Sequence, residues 1–356
     1  MKPPRAGILA LLIGIVAIGP ADSHLLPRPF ALVKTNRKLA GYVVDHTANH
    51  GKDRRIYSKA LRQKRAMYVY LPPGYDPTKK YPLGIYMHGF LADEWGFLKE
   101  VVHPFDEAIA CGKLPPMIIA APDASPGGYD CLTTTGTFYL NSQLGKFEDY
   151  FVEDVYKFLL CNYPIRPEPE AHALLGVSMG GGAAFRLVMR YRDRFGVAAC
   201  FAPPLNLRWI SCRGCYFDNF DPQCWSWRTD FSDGHEPIGI FFNGRVKIRM
   251  RTFLYPILGR KNPDMAGDVA KENPIELLDA YNIGPGFAEF YVAYGGQDEF
   301  NLDAQIESFL HRAKQRGVAV GVDYDPHGQH SSETAAKMLP KMIDWLREKL
   351  EPYRPQ

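Results

Sequence analysis

Residues 176–182 read GVSMGGG and join two segments of different hydrophobic pattern. The apolar run 171–175 before them is typical of a buried strand, and residues 183–189 after them have the composition of a helix. Glycine carries no Cβ, so the flanks of Ser178 can pass close to both elements while the serine itself adopts a strained backbone conformation. Such a turn lifts the hydroxyl above a sheet, and the helix N-terminus beneath it favours developing negative charge. The G-x-S-x-G pattern therefore predicts a nucleophilic serine; a plain glycine-rich connection is the alternative.

Strand-like and helix-like runs alternate along most of the chain. Strands separated by helices imply βαβ units, which build a mostly parallel sheet with helices on both faces. The expected fold is therefore a three-layer α/β sandwich whose ligands bind at the carboxyl ends of the strands. The expected strands are residues 66–71, 82–87, 117–121, 171–175, 197–201, 290–294 and 318–324, and the expected helices include 147–160, 302–315 and 334–350.

A serine nucleophile needs a base, usually histidine, and a carboxylate that orients the base. Asp298 lies in the glycine-rich turn after the penultimate strand, and it is preferred to Glu299 because it follows the turn glycines most closely. His330 lies on the loop between the last strand and the closing helix, and its position there is preferred to that of His327. The expected catalytic residues are Ser178, Asp298 and His330, with Glu299 and His327 as open alternatives.

The oxyanion that forms in acyl transfer requires two N–H donors that are in place before the reaction. The amide of Met179, directly after the nucleophile, is one candidate. The second is expected from the early His88-Gly89-Phe90 loop, because a His-Gly turn lets the backbone approach a substrate closely. The expected donors are the amides of Phe90 and Met179, with Leu91 as the alternate.

The N-terminus has the three parts of a secretory signal peptide. Residues 1–5 are basic, residues 6–18 are apolar, and small residues follow at 19–21. The apolar run is shorter than a membrane span needs, so we expect residues 1–21 to be removed. The expected product is a secreted or periplasmic protein without stable membrane insertion; an uncleaved anchor is the alternative.

The balance of charge is too mild to indicate a nucleic-acid partner. The 356 residues carry a formal net charge of +3, and no basic run is interleaved with aromatics. The length suits one large catalytic domain, expected over residues 61–352, preceded by a polar, irregular arm over 22–60. Residues 203–280 break the alternation and are rich in Trp, Phe and Arg, so they form either a lid over the site or an elaborated loop with its own hydrophobic cluster.

Export changes how the seven cysteines are interpreted, because disulfides persist in oxidising compartments. One group, which Cys131 could join in a disulfide of open connectivity, consists of Cys212, Cys215 and Cys224. His235 lies near this group, but the spacing matches no structural zinc pattern, so no metal or cofactor is expected. Buried free thiols are expected for the cysteines that lie in apolar patterns: Cys111, Cys161 and Cys200.

Five stretches of the chain resemble the esterase D group of α/β-hydrolases, the "Putative esterase" family, which includes feruloyl esterases, acetylxylan esterases and S-formylglutathione hydrolases. The resemblance implies the α/β-hydrolase fold and carboxylic-ester hydrolysis through an acyl-enzyme, without a cofactor. It assigns Ser178 as nucleophile, Asp298 as orienting acid and His330 as base. It also assigns the amides of Phe90 and Met179 as oxyanion donors. The stretches are residues 69–75, 81–89, 176–181, 295–298 and 328–330.

The substrate stays open, because residues 203–280 align with no substrate-defining feature of that family. A secreted member is similar to the subset that acts on carbohydrate-linked esters, so acetyl or feruloyl esters of polysaccharide are the expected substrates. Three other functions share the sequence features: a serine peptidase of the prolyl-oligopeptidase kind, an acyltransferase of the same fold and a non-catalytic binding module. The early His-Gly loop disfavours the first, and the intact Ser–Asp–His set disfavours the last.

Overall fold

The computed structural model describes residues 28–127 and 136–356. The expected signal peptide and Cys131 lie outside these residues. The strands of the described residues form one large sheet and four two-stranded sheets. In chain order the strands are β1 (Tyr42–His46), β2 (Ile56–Ser58), β3 (Gln63–Arg65), β4 (Met67–Leu71), β5 (Leu83–Met87), β6 (Ile118–Pro122), β7 (Asn141–Ser142), β8 (Gly145–Lys146), β9 (His172–Val177), β10 (Val197–Phe201), β11 (Trp209–Ser211), β12 (Trp225–Trp227), β13 (Pro237–Phe241), β14 (Val246–Arg249), β15 (Glu289–Gly295) and β16 (Val320–Asp325).

The large sheet forms the centre of the molecule and, within the described residues, has eight strands in the order β1-β4-β6-β5-β9-β10-β15-β16. Neighbouring strands from β6 to β16 are parallel, and β4 runs antiparallel to both of its neighbours. Every strand expected from the sequence is present, with ends within two residues of the expected ones. The expected α/β-hydrolase fold with a mostly parallel sheet is confirmed.

Helices surround this sheet and supply the crossovers that parallel strands require. The helix expected over residues 147–160 is present but contains a π-helical segment, Tyr150–Val155, between two α-helical parts. A second π-helical segment, Phe97–Val101, precedes the α-helix Val102–Ala110. The α-helices are α1 (Arg28–Asn36), α2 (Val102–Ala110), α3 (Phe147–Asp149), α4 (Tyr156–Asn162), α5 (Met179–Arg190), α6 (Met250–Leu258), α7 (Met265–Glu272), α8 (Pro274–Ala280), α9 (Leu302–Gln315) and α10 (Ser332–Leu350).

The topology gathers the candidate residues at one edge of the sheet. Strands β5, β9, β15 and β16 run in the same direction, so the loops that follow them leave the sheet at the same side. These loops carry His88, Ser178, Asp298 and His330 respectively. Residues far apart in the chain therefore meet at the carboxyl ends of the strands, where α/β sheets bind their ligands.

The N-terminal arm is more ordered than expected. Strand β1 pairs with β4 along its whole length and forms one edge of the large sheet, with Val43 only 3% exposed. The carboxylate of Asp106 accepts hydrogen bonds from the N–H groups of Ala40 and Gly41, at 2.9 and 2.8 Å, and fixes the entry into the strand. The expectation of irregular structure over this arm is thus wrong, because α1, β1 and β2 lie within it. In β1, alternate exposure at the sheet edge lets a partly polar pentapeptide form a strand.

The cysteines divide differently from the sequence expectation. A disulfide joins Cys212 to Cys224, and Cys215 is free and exposed. Cys200 is a buried free thiol, as expected, and burial raises its pKa above the ordinary range. The expectation of burial is wrong for Cys111 and Cys161, which are exposed free thiols. Both lie at or near the end of a helix, where the side chain reaches solvent.

Residues 203–280 form the hairpins β11–β12 and β13–β14 and the helices α6, α7 and α8. They have a small hydrophobic cluster of their own, separate from the main core. The separate hydrophobic cluster expected of an elaborated loop is therefore present. The same segment also lines the cavity next to Ser178. The buried members of the cluster are Phe231, Met250, Met265 and Val269.

Candidate active site

Ser178 lies at the junction of β9 and α5 in a backbone conformation that a residue with a side chain rarely adopts. Its φ is +52° and its ψ is −118°. Its N–H donates a hydrogen bond to the carbonyl of Phe201, on the neighbouring strand, at 2.8 Å. Strain of this kind persists only where the surroundings determine the conformation, and it is concentrated at functional sites.

The two glycines of the G-x-S-x-G motif are required by close backbone contacts. A Cβ on Gly176 would lie 2.5 Å from the Cα of Gly181, and one on Gly180 would lie 2.1 Å from the carbonyl oxygen of Met87. Both separations are far below van der Waals contact, so the strand, the turn and the helix can approach each other only without these side chains. The sharp turn that exposes Ser178 is a consequence of this packing.

Two further side chains meet the Ser178 hydroxyl in a continuous hydrogen-bonded line. His330 Nε2 lies 3.0 Å from Ser178 Oγ, and His330 Nδ1 lies 2.8 Å from Asp298 Oδ2. The side chains of His330 and Asp298 are only 9% and 1% exposed, so bulk solvent screens their interaction weakly. A neutral imidazole that donates its Nδ1 proton to the carboxylate leaves Nε2 free to accept the serine proton. The arrangement is therefore able to activate the hydroxyl.

The open alternatives for acid and base occupy other positions. Glu299 accepts a hydrogen bond on its carboxylate from the backbone N–H of His330, at 2.9 Å, and so holds the base loop rather than the imidazole ring. His327 is exposed. The structure thus brings Ser178, Asp298 and His330 together, and their catalytic roles are predictions that the experiments below test.

The turn that carries Asp298 is locked to the loop that carries the histidine. Asp298 Oδ1 accepts a hydrogen bond from the N–H of Phe300 at 2.8 Å, an Asx turn that leaves Oδ2 for His330. A Cβ on Gly295 would lie 2.2 Å from the carbonyl oxygen of Gly328, so the two loops touch through their backbones. The positions of acid and base are therefore set by the same packing.

The surroundings raise the pKa of His330 above its ordinary value. Burial disfavours the charged imidazolium, but the negative charge of Asp298, its hydrogen bond to the ring and the nearby charge of Glu299 together outweigh that effect. The two carboxylates thus stabilise the imidazolium that forms when the base accepts a proton. Because the two carboxylates raise the pKa of His330, the neutral ring that can act as a base is lost at a higher pH than for an ordinary histidine.

The early His-Gly loop is fixed by the buried side chain of His88. The ring Nε2 accepts a hydrogen bond from the Ala124 N–H, so Nδ1 carries the proton and donates it to the carbonyl of Gly89; both distances are 2.9 Å. This places the loop beside Ser178, and Phe90 lies with it at the same cavity. Met179 and Leu91 line this cavity as well. Their roles as oxyanion donors remain predictions.

A cavity of about 700 Å³ extends from Ser178 and His330. Its wall is mainly apolar and rich in aromatic rings. The ring of Phe253 packs edge-on against those of Phe90 and Phe138, with centroids 4.8 and 5.4 Å apart. Other apolar residues of the wall are Phe105, Leu140, Phe201, Phe231, Met250, Leu254, Ile257, Phe300 and Leu302.

Residues 203–280 supply much of this wall, with α6 lying against the His-Gly loop. The aromatic content of the segment was visible in the sequence, but two of its wall residues were not predicted: Phe253 and Ile257, which share one face of α6 at i, i+4 spacing. Phe300 was not predicted either; its ring lies edge-on to that of His330 with centroids 5.0 Å apart. The apolar face of α6 was readable in the sequence, whereas the contact of Phe300 depends on how two distant loops pack.

Within residues 28–127 and 136–356, no group of three or more His, Cys, Asp or Glu side chains is arranged to hold a metal ion. No helix of the same residues is long and apolar enough to cross a membrane.

The fold and this constellation define a class of protein, the α/β-hydrolases with a serine at the strand-to-helix turn. Two solved structures share the fold over most of their length. A ferulic acid esterase matches with a TM-score of 0.60 and 21% identity, covering 88% of this chain and 100% of its own. An S-formylglutathione hydrolase from Agrobacterium tumefaciens matches with a TM-score of 0.61 and 16% identity, covering 88% of this chain and 96% of its own.

A match to a family sequence model identifies the family to which the chain belongs. The chain belongs to the "Putative esterase" family, whose sequence model matches residues 58–253, more than half of the chain. The matched range includes Ser178 and the His-Gly loop, and Asp298 and His330 lie beyond it. An S-formylglutathione hydrolase from Arabidopsis thaliana is 26% identical over 170 residues, which are 43% of this chain and 57% of that protein. The chain thus matches little more than half the length of this curated relative.

Proposed function

We propose that the protein is a serine carboxylic-ester hydrolase in which Ser178 is the nucleophile, His330 the general base and Asp298 the acid that orients the base. The observation that carries the proposal is the unbroken line from Ser178 Oγ through both ring nitrogens of His330 to Asp298, with distances of 3.0 and 2.8 Å. Membership of an esterase family supports it independently.

The proposed reaction has two halves. In the first, the Ser178 Oγ–H proton passes to His330 Nε2 while Oγ bonds to the carbonyl carbon of the ester, and the carbonyl oxygen becomes an oxyanion. When the intermediate collapses, the carbon–alkoxy bond breaks and the alcohol leaves with the proton from Nε2. In the second half, water takes the place of the alcohol: its proton passes to His330 Nε2 while its oxygen bonds to the acyl carbon. When this intermediate collapses, the carbon–Oγ bond breaks, His330 returns the proton to Ser178 Oγ, and the acid is released.

The oxyanion is the species that the site must stabilise most. We assign this task to the amides of Phe90 and Met179. Both residues line the cavity with Ser178, and Met179 is the first residue of α5, whose N-terminal end carries the positive pole of the helix dipole. Leu91, with a left-handed φ of +60°, remains the alternate donor.

The cavity supports a bulky, apolar acyl group rather than a small one. A volume of about 700 Å³ bounded by aromatic rings leaves an acetyl group, or the formyl group in the name of the plant relative, with few contacts. A feruloyl group combines a flat ring with a size that such a wall can enclose, and a ferulic acid esterase shares the fold. We therefore propose feruloyl-type esters, carbohydrate-linked in the natural substrate, ahead of acetyl esters.

Export is part of the proposal. The basic, apolar and small-residue order of residues 1–21 supports a cleaved signal peptide, and the Cys212–Cys224 disulfide suits an oxidising compartment. The catalytic domain is proposed over residues 61–352, with the segment 203–280 covering the acyl cavity. Detection of a mature protein beginning near residue 22 outside the cytoplasm would support export. A full-length cytoplasmic protein would contradict it.

The test of the proposed function is a matched series of esters. Hydrolysis of acetyl, cinnamoyl and feruloyl esters of one alcohol is compared for the wild-type protein and for Ser178→Ala and Phe253→Ala. We expect a higher kcat/KM for the aromatic acyl groups, complete loss in Ser178→Ala, and a selective loss for aromatic esters in Phe253→Ala. Turnover of every ester by Ser178→Ala would refute the nucleophile. Adding a sugar alcohol to the same assay distinguishes hydrolysis from acyl transfer, because only a transferase forms the sugar ester faster than the free acid.

A further inference from the structure

The positive charge of the protein is concentrated in one part of the segment 203–280. Residues 237–263 contain six basic side chains and no acidic one, whereas the whole chain has a net charge of only +3. The basic side chains are Arg245, Lys247, Arg249, Arg251, Arg260 and Lys261. The rest of the chain is therefore net acidic, and the charge belongs to one surface rather than to the protein as a whole.

Four of these side chains occur at every second position, and we call them the basic row: Arg245, Lys247, Arg249 and Arg251. Successive side chains of a strand point to opposite faces, so Lys247 and Arg249 of β14 share one face, with Cα atoms about 7 Å apart. Met250, between the last two cations of the row, is buried and lines the cavity. The basic row thus lies on the outer side of a segment whose inner side bounds the acyl cavity.

The charges of the basic row are not neutralised by carboxylates. Within the described residues, no Asp or Glu side chain forms an ion pair with any of the four, and the neighbouring carboxylate of Glu236 is bound by Arg228. Arg249 donates to the carbonyl of His235 at 2.7 Å, and Arg251 Nη1 lies 3.0 Å from His235 Nε2, so the two guanidinium groups meet at one residue. Apart from Arg249, the members of the row are exposed. Like charges held side by side favour a ligand that carries several negative charges.

We propose that the basic row is a docking surface for an acidic polysaccharide, a chain of carboxylated sugars that carries the ester. The inference rests on the proposed function and makes the alcohol part of its substrate more specific: a polyanion rather than a neutral polymer. A polymer with regularly spaced carboxylates meets a line of cations at several points, and each guanidinium can bind a carboxylate through two parallel hydrogen bonds. Because the row and the cavity wall belong to the same segment, the polymer is held on the cover of the acyl cavity.

Two other anionic partners fit the basic row less well. A surface that binds single-stranded nucleic acid combines its cations with aromatic rings on which bases stack, whereas the residues between these cations are Val246, Ile248 and Met250. A membrane surface requires several apolar side chains that enter the lipid. Phe242 is 47% exposed, and it is the one exposed large apolar side chain of residues 237–249, all of which the structure describes. The charge pattern therefore favours the acidic polysaccharide.

The experiment measures the binding of polygalacturonate, a polymer of carboxylated sugars that carries no feruloyl ester. The row variant combines Arg245→Gln, Lys247→Gln and Arg251→Gln, and it keeps Arg249 because that side chain holds the carbonyl of His235. We expect the wild-type protein to bind at low ionic strength and to release the polymer as salt is added, and the row variant to bind at least about tenfold more weakly.

The matched control removes the same charge from exposed lysines outside the segment 203–280 and should bind polygalacturonate as the wild type does. It combines Lys79→Gln, Lys80→Gln and Lys113→Gln. The row variant should unfold at no lower a temperature than the wild type, because its cations repel one another, and it should keep the kcat/KM of the wild type for methyl ferulate. Weaker binding by the row variant alone is then an effect of the lost charges.

Several results would overturn the inference. They are the absence of polygalacturonate binding, equal binding by the row variant and the wild type, equal binding of neutral arabinoxylan, and tighter binding to phosphatidylserine vesicles than to polygalacturonate. Because the binding of polygalacturonate involves no ester hydrolysis, these results stand apart from a failure of the proposed function, which would show as a lack of methyl ferulate turnover by the wild-type protein.

Discussion

Glu299 holds the backbone of His330: its carboxylate accepts the N–H of the histidine at 2.9 Å, while the preceding residue, Asp298, binds the ring. Two consecutive acidic residues thus contact the same histidine in different ways. Glu299 holds the backbone that carries the imidazole, Asp298 binds the ring, and the negative charges of both favour the imidazolium. In the proposed mechanism Glu299, which the sequence offered as a rival acid, is therefore a positioning residue.

Removing either carboxylate should therefore have effects of different size. We expect Asp298→Asn to lower kcat by about 10³- to 10⁴-fold, because the imidazole loses the partner that fixes its tautomer. Glu299→Ala should cost only about tenfold, because one hydrogen bond to a loop is lost, and Glu299→Gln should retain most activity by keeping an acceptor. Steady-state kinetics on a 4-nitrophenyl ester provide the measurement, with the exposed Glu348→Ala as control. Equal losses in Asp298→Asn and Glu299→Ala would contradict this division of roles.

The pH dependence of kcat/KM should report the raised pKa of His330. The base must be neutral, so activity falls as the pH is lowered through a pKa that lies above the ordinary histidine value near 6.5. Glu299→Gln removes one negative charge that favours the imidazolium, so the acid limb of its profile should move to lower pH. A limb that moves to higher pH, or does not move, would show that Glu299 does not act on the charge of the base.

Much of the site could be predicted from sequence because its residues follow strands of a parallel sheet. Ser178, Asp298 and His330 each lie on the turn or loop that follows a strand of the sheet, and parallel strands bring such ends together. The preference for Asp298 over Glu299 rested on turn glycines that were visible in the sequence. These local patterns determine the elements, and the topology then determines which ends meet.

Other features depend on tertiary packing that leaves no local pattern. Strand β1 was missed because only alternate residues of an edge strand are buried. The pairing of Cys212 with Cys224 rather than Cys215 is set by the β11–β12 hairpin, whose register brings the two ends together. Such details cannot be read without the positions of the partners.

The elbow glycines provide a test of the fold around Ser178. Gly180→Ala should destabilise the protein by about 1–3 kcal/mol, because the added methyl would meet the carbonyl of Met87 at 2.1 Å. Helix propensity alone would favour alanine at this position, so destabilisation identifies the clash. Gly284→Ala is the control and should leave the Tm unchanged, because no described residue other than the chain neighbours of Gly284 lies within 4 Å of the added Cβ. Equal unfolding transitions for both variants would contradict the packing of the turn.

The Cys212–Cys224 disulfide should contribute measurably to stability. It closes a short loop with a sequence separation of 12. Replacing both cysteines by serine should lower the free energy of unfolding by about 3 kcal/mol, since the unfolded chain gains loop entropy. Denaturant unfolding with and without reductant measures this, and Cys215→Ser, at an exposed free thiol, should behave as wild type. A double variant as stable as the oxidised protein would show that the cross-link does not constrain the fold.

In the proposed mechanism, Ser178 forms the covalent bond to the substrate. The most direct measurement is labelling with a fluorophosphonate, followed by intact-mass analysis and peptide mapping. We expect a single adduct on the peptide that contains Ser178, no adduct in Ser178→Ala, and slow labelling in His330→Gln, which lacks the base. An adduct on another residue, or undiminished labelling of Ser178→Ala, would show that Ser178 is not the nucleophile.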